Sequence, residues 1–66
     1  MIPSLEFSPA RVKGIRVQLG LTQEQFARRL GVSPNMISRW ETGEQTPSRG
    51  PVLKALLDAE AAVEGV

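Results

Sequence analysis

The chain holds no histidine and no cysteine. Those two absences remove the commonest general base, the commonest metal ligand, thiolate nucleophiles and disulfides together. Carboxylates remain, but Glu24, Glu41, Asp58 and Glu60 are scattered over different segments, and no paired acid and base for catalysis is drawn from them. The expectation is a protein that binds rather than transforms, with no cofactor and no metal. Its chemistry-bearing residues are then the cations. Arg11, Lys13, Arg16, Arg28, Arg29 and Arg39 face Glu24 alone between positions 11 and 39, a local excess of five positive charges, while Asp58, Glu60 and Glu64 make positions 55 to 66 acidic. The net charge is only +1, so segregation rather than total charge points to a polyanionic partner, with solvated helix faces as the plain alternative.

A length of 66 residues allows one domain, close to the lower limit for a single self-sufficient core. No apolar run is long enough to span a membrane. The start, Met1-Ile2-Pro3-Ser4, lacks the basic and apolar regions of a secretory signal, so the expected compartment is the cytoplasm.

The elements that must position the cations announce themselves by their caps. An apolar residue, a Ser or Thr, three residues and a second apolar residue recur as Phe7-Ser8 with Val12, Leu21-Thr22 with Phe26, and Val32-Ser33 with Ile37. Each set combines an N-cap hydroxyl with a hydrophobic staple. Pro9 and Pro34 fall at first helical positions, and Thr22 with Gln25 makes a capping box. Gly20, Gly31 and Gly43 follow where left-handed C-terminal residues are needed. A fourth helix is expected from Ser48, with Pro51 in its first turn and an apolar stripe through Leu53, Leu56, Leu57, Ala59, Glu60 and Val63. That stripe completes the core, and part of it, Leu53, Leu57 and Val63, is a candidate dimer face. Residues 1–7 read as an N-terminal tail or a short arm, and residues 8–64 as the domain.

Gln23 to Glu41 satisfies the demands of two helices crossing steeply at a short turn. Ala27 is small where the second helix comes close, Gly31 supplies the turn, and Phe26, Leu30, Val32, Ile37 and Trp40 are the apolar positions that join the pair to the first helix. Gly14 costs about 1 kcal/mol inside that first helix, and nothing in the sequence explains it.

The chain resembles the lambda-repressor-like, or Cro/C1-type, helix-turn-helix domains. The residues that carry the likeness are Gly20-Leu21-Thr22-Gln23-Glu24-Gln25-Phe26-Ala27, Leu30-Gly31-Val32-Ser33 and Ile37-Ser38-Arg39-Trp40-Glu41-Thr42-Gly43, within roughly residues 9 to 58. Arg11 to Gly20 also looks like the first helix of certain phage repressors, and Ile37 to Glu41 like the antitoxin branch. The resemblance implies a compact all-α domain of four helices, or five, that binds double-stranded DNA as a homodimer and acts as a repressor or as an antitoxin with a cognate toxin for a partner.

It further implies that residues 33–42 form the recognition helix in the major groove. Base readers are then Asn35 to adenine, Arg39 to guanine, and Met36 or the Pro34 ring to a thymine methyl. Pro34 departs from the polar residue that several phage repressors carry at that position. Phosphate candidates are Gln23, Ser33, Ser38, Thr42, Arg28 and Arg49, with Arg29 on the same terms. Ser33 is an N-cap first and Trp40 a core residue rather than a stacking platform. Arg16 and Glu41 match positions that form a partly buried ion pair. The rival reading is a protein-interaction module that uses this fold without DNA, favoured by the modest net charge and the acidic fourth helix.

Overall fold

Three side-chain hydroxyls start three of the four helices. In the computed structural model, which describes residues 6–64, the helices are α1 Pro9–Gln18, α2 Gln23–Leu30, α3 Pro34–Thr42 and α4 Gly50–Glu64. Residues 1–5 of the expected tail or arm lie outside the described residues, and among the described ones there is no fifth helix. The Ser8 hydroxyl accepts from the Arg11 N–H at 3.2 Å, Thr22 from Gln25 at 3.1 Å and Ser33 from Met36 at 3.3 Å. Gln25 in turn accepts from the Thr22 N–H at 2.9 Å, so the capping box is closed. Each cap satisfies a helix-start N–H that has no partner inside the helix, a contribution of about 1 kcal/mol.

Gly20, Gly31 and Gly43 all take positive φ, at 71, 75 and 85°. Gly31 needs to be glycine for its backbone alone. A Cβ there would meet no atom, but the left-handed conformation that stops α2 and turns the chain into α3 is costly for any L side chain.

The start of α4 differs from the sequence expectation. It lies at Gly50 rather than Ser48, and the Leu53 N–H donates to the Arg49 carbonyl at 2.8 Å, which makes Arg49 the cap. Pro51 then falls at the second helical position, in the first turn, where its missing N–H has no intrahelical partner to lose.

The core is built from all four helices: Val12 and Ile15, Phe26, Ala27 and Leu30, Ile37 and Trp40, and Leu56 and Ala59. Phe7 joins them at 2% exposure, so the body begins one residue before the boundary drawn from the sequence. α2 packs chiefly on α3, and α1 lies against α3 and α4. Leu53, Leu57 and Val63 are half-buried against this core. No helix among the described residues is long and apolar enough to cross a membrane.

Glu60, on the otherwise apolar stripe of α4, escapes burial as a lone charge by meeting Arg11. The guanidinium donates from Nε to Oε2 at 2.8 Å and from Nη2 to Oε1 at 2.7 Å, a two-bond fork of the strong kind. Its Nη1 also donates to the Glu6 carbonyl at 3.0 Å, and its central carbon lies 4.1 Å from the centre of the Phe7 ring. One side chain therefore ties the N-terminal segment, α1 and α4 together. The bond from Arg11 lowers the Glu60 pKa against the opposing effect of burial.

Two outcomes are expected. A Cβ at Gly14, within α1, would meet nothing within 4 Å, so Gly14→Ala should gain about 1 kcal/mol and raise the melting temperature by about 4–8 °C in a thermal unfolding scan. Glu60 has a folded pKa below its ordinary 4.5. Its contribution is therefore complete above that value and lost as the pH falls through the folded one. Denaturant titrations of Glu60→Gln should accordingly show a deficit at neutral pH that closes as the solution is acidified below 4.5.

Candidate nucleic-acid interface

α3 has one inward face and one outward face, and the inward one is anchored deeply. Ile37 is 0% and Trp40 4% exposed, which sets the helix rotation. At about 100° per residue, Asn35, Arg39 and Thr42 then share the opposite side, at spacings of four and three. All three are exposed, as are Ser33 and Pro34 at the N-terminal end. Arg39 and Asn35 lie one turn apart on a rigid rod, with a forked five-donor cation and a carboxamide presented to the same side. Such a pair matches the donor and acceptor edges of base pairs in a major groove wide enough to admit a helix.

The remaining α3 residues are less freely presented. Met36 and Ser38 flank the outward face and are half-buried, Met36 packing against the core. With Val32, Trp40, Pro47, Arg49 and Val52, Met36 lines a cleft of about 480 Å³ between α3 and the loop that leads to α4. The Ser33 oxygen accepts the cap bond, which leaves its hydrogen to donate elsewhere. The Thr42 hydroxyl spends its one hydrogen on the Arg39 carbonyl at 3.2 Å, where the Gln45 N–H also arrives at 3.2 Å. A phosphate bond from Thr42 requires that helix-end bond to break.

Arg28 and Arg49 are exposed, and among the described residues neither they nor Arg39 sits in an ion pair. Arg28 shares the outer side of α2 with Glu24, away from Phe26 and Leu30. Arg49 stands at the head of α4, on the rim of the cleft.

Behind this surface lies a junction of three elements. Glu41 sits at the C-terminal end of α3, where the helix dipole opposes an anion. Arg16, from α1, donates to it from Nε at 2.6 Å and from Nη2 at 3.0 Å, with side-chain exposures of 16% for Arg16 and 7% for Glu41. The bond to Glu41 raises the Arg16 pKa against desolvation. The third guanidinium nitrogen, Nη1, donates to the Leu21 carbonyl at 3.0 Å, just before the cap of α2. Gln23, the first residue of α2 and half-buried, donates from Nε2 to Glu41 at 3.3 Å.

Sequence reasoning did not find the Arg11 and Glu60 pair or the bond from Gln23 to Glu41. Arg11 and Glu60 stand 49 positions apart, so no local spacing marks them. The available signal was a carboxylate on an apolar stripe, where a buried charge needs a partner.

A family model described as helix-turn-helix matches residues 12–59, from the buried Val12 of α1 to the buried Ala59 of α4. No curated protein matches the chain.

Breaking the Arg16 and Glu41 pair from one side strands a largely desolvated charge. Glu41→Ala should therefore cost about 2 kcal/mol, far more than an exposed pair contributes. In a double-mutant cycle with Arg16→Met, measured by thermal unfolding, the two losses should fall well short of adding. Additive losses would show the pair to be energetically idle.

Proposed function

Because the chain belongs to the Cro/C1-type helix-turn-helix family of DNA-binding regulators, we propose that it is a sequence-specific repressor that reads the major groove of double-stranded DNA with α3. The observation that carries this reading is the outward pair Asn35 and Arg39, exposed on a helix whose other side is locked by Ile37 and Trp40. Locking matters because a base reader is useful only if its backbone arrives in one register. In this reading Arg39 takes the O6 and N7 edge of guanine, Asn35 takes adenine, and Pro34 and Met36 offer apolar contact to a thymine methyl. Ser33, Ser38, Gln23, Arg28 and Arg49 serve the phosphates, which fix register without reading sequence.

The binding unit in this proposal is a homodimer on a two-fold symmetric site. One chain offers two strong base readers, too few for a specific complex, and its longest extent of 31 Å is about the repeat of one helical turn, roughly 34 Å. The half-buried Leu53, Leu57 and Val63 of α4 provide the seam for the second copy. The same architecture serves repressors and antitoxins alike, and a toxin partner belongs to the second of these roles.

Selection from a pool of random duplexes, followed by titration at several salt concentrations, tests the proposal. The expected product is a palindromic site with half-sites about one turn apart, bound with an affinity that falls steeply with salt. On that site Arg39→Ala should lose about 1–3 kcal/mol and relax preference at one position per half-site. Failure to enrich any duplex would sink the reading in favour of a protein-interaction module.

A further inference from the structure

We infer that Glu41, held by Arg16, is a positioning residue for DNA binding: it orients the carboxamide of Gln23 so that one amide hydrogen is presented to a backbone phosphate at the head of α2. This rests on the proposed DNA-binding function and assigns to the ion pair a role beyond stability.

The orientation of Gln23 follows from chemistry. A carboxylate accepts and does not donate, so the group facing Glu41 at 3.3 Å is the amide nitrogen and not the amide oxygen. That nitrogen carries two hydrogens. One is committed to Glu41 and the second remains, on a plane whose rotation is no longer free. Glu41 is itself immobile, because Arg16 grips both of its oxygens at 2.6 and 3.0 Å while the same guanidinium is fixed at its far end by the Leu21 carbonyl at 3.0 Å. The relay thus runs from α1 through the end of α3 to the first residue of α2. Arg16, Thr22, Gln23 and Glu24 line the shallow depression beside it.

The charge balance suits the role. An unpaired Glu41 would repel a phosphate approaching Gln23. Arg16 neutralises it across two hydrogen bonds, so what reaches the surface is a polarised N–H rather than a negative field. A free glutamine would have to give up rotamer freedom on meeting a phosphate, and a held one has surrendered it already.

Two measurements on the full chain test the inference. In the free protein, 15N relaxation of side-chain amides should show Gln23 ordered, with Gln18 and Gln45, both exposed, as mobile references. A Gln23 amide as mobile as those two overturns the proposal without recourse to any variant. Affinity for a random-sequence duplex is then compared in two backgrounds: the wild type, and the charge-neutral swap Arg16→Met with Glu41→Leu. Gln23→Ala should cost about three- to tenfold in the wild type, with a shallower dependence on salt, by about 0.9 in the logarithmic slope for each phosphate that is no longer bound. In the swap background the same substitution should cost less than about twofold. Equal losses in both backgrounds overturn the relay while leaving DNA binding intact. A wild-type chain that binds no duplex at low salt overturns both readings.

Discussion

A carboxylate at the C-terminal end of a helix opposes the helix dipole, and Glu41 is such a carboxylate, nearly enclosed by protein. Its tolerance depends on Arg16, and much of the architecture follows from meeting that demand. Arg16 must come from α1, so α1 must cross α3 near its end. The same guanidinium bonds the Leu21 carbonyl, so the head of α2 is brought to the same point. Three helices therefore share one polar junction, and the crossing of α2 with α3 is set there by directional bonds as well as by Phe26, Ala27, Leu30 and Ile37 in the core. Apolar packing tolerates sliding; a forked pair between two enclosed groups does not.

The second polar clasp, Arg11 on Glu60, acts on the other side of the molecule and has a different character. Its members are more exposed, at 24% and 29% of their side chains against 16% and 7% for the first pair. Water screens it more strongly, and its contribution per bond is correspondingly smaller. Its geometric effect is still large. Without it α4 would be held by Leu56, Ala59 and their half-buried neighbours alone, and those apolar contacts leave the helix freer to rotate about its axis. Fixing α4 by a charge pair leaves Leu53 and Leu57 half-buried along its flank, and the N-terminal segment is gathered in by the same arginine through Glu6 and Phe7.

In the proposed function, DNA recognition divides labour between the two sides of α3. Ile37 and Trp40 give up nearly all access to solvent and thereby hold Asn35 and Arg39 at a fixed rotation. A domain of this size has little stability to spare, so it benefits from groups that serve two ends: Ser33 caps α3 at the tip that would enter the groove, and Gln23 begins α2 while bonding the end of α3.

Much of this was legible along the chain. The caps at Ser8, Thr22 and Ser33, the glycine stops and the apolar set from Phe26 to Trp40 are local patterns, because a helix start or stop is decided by residues within about four positions of it. The all-α architecture and the family followed from them, and so did the outward placement of Asn35 and Arg39, which needs only the helical repeat and two buried anchors. The start of α4 was placed two residues early, because a proline is tolerated anywhere in the first turn of a helix and so does not by itself fix where that turn begins. What tertiary structure alone decided is which distant polar groups meet. Arg11 finds Glu60 and Gln23 finds Glu41 across 49 and 18 positions, through bonds that depend on orientation to a fraction of an ångström. No spacing rule reaches that far, since those distances are set only when three helices have packed.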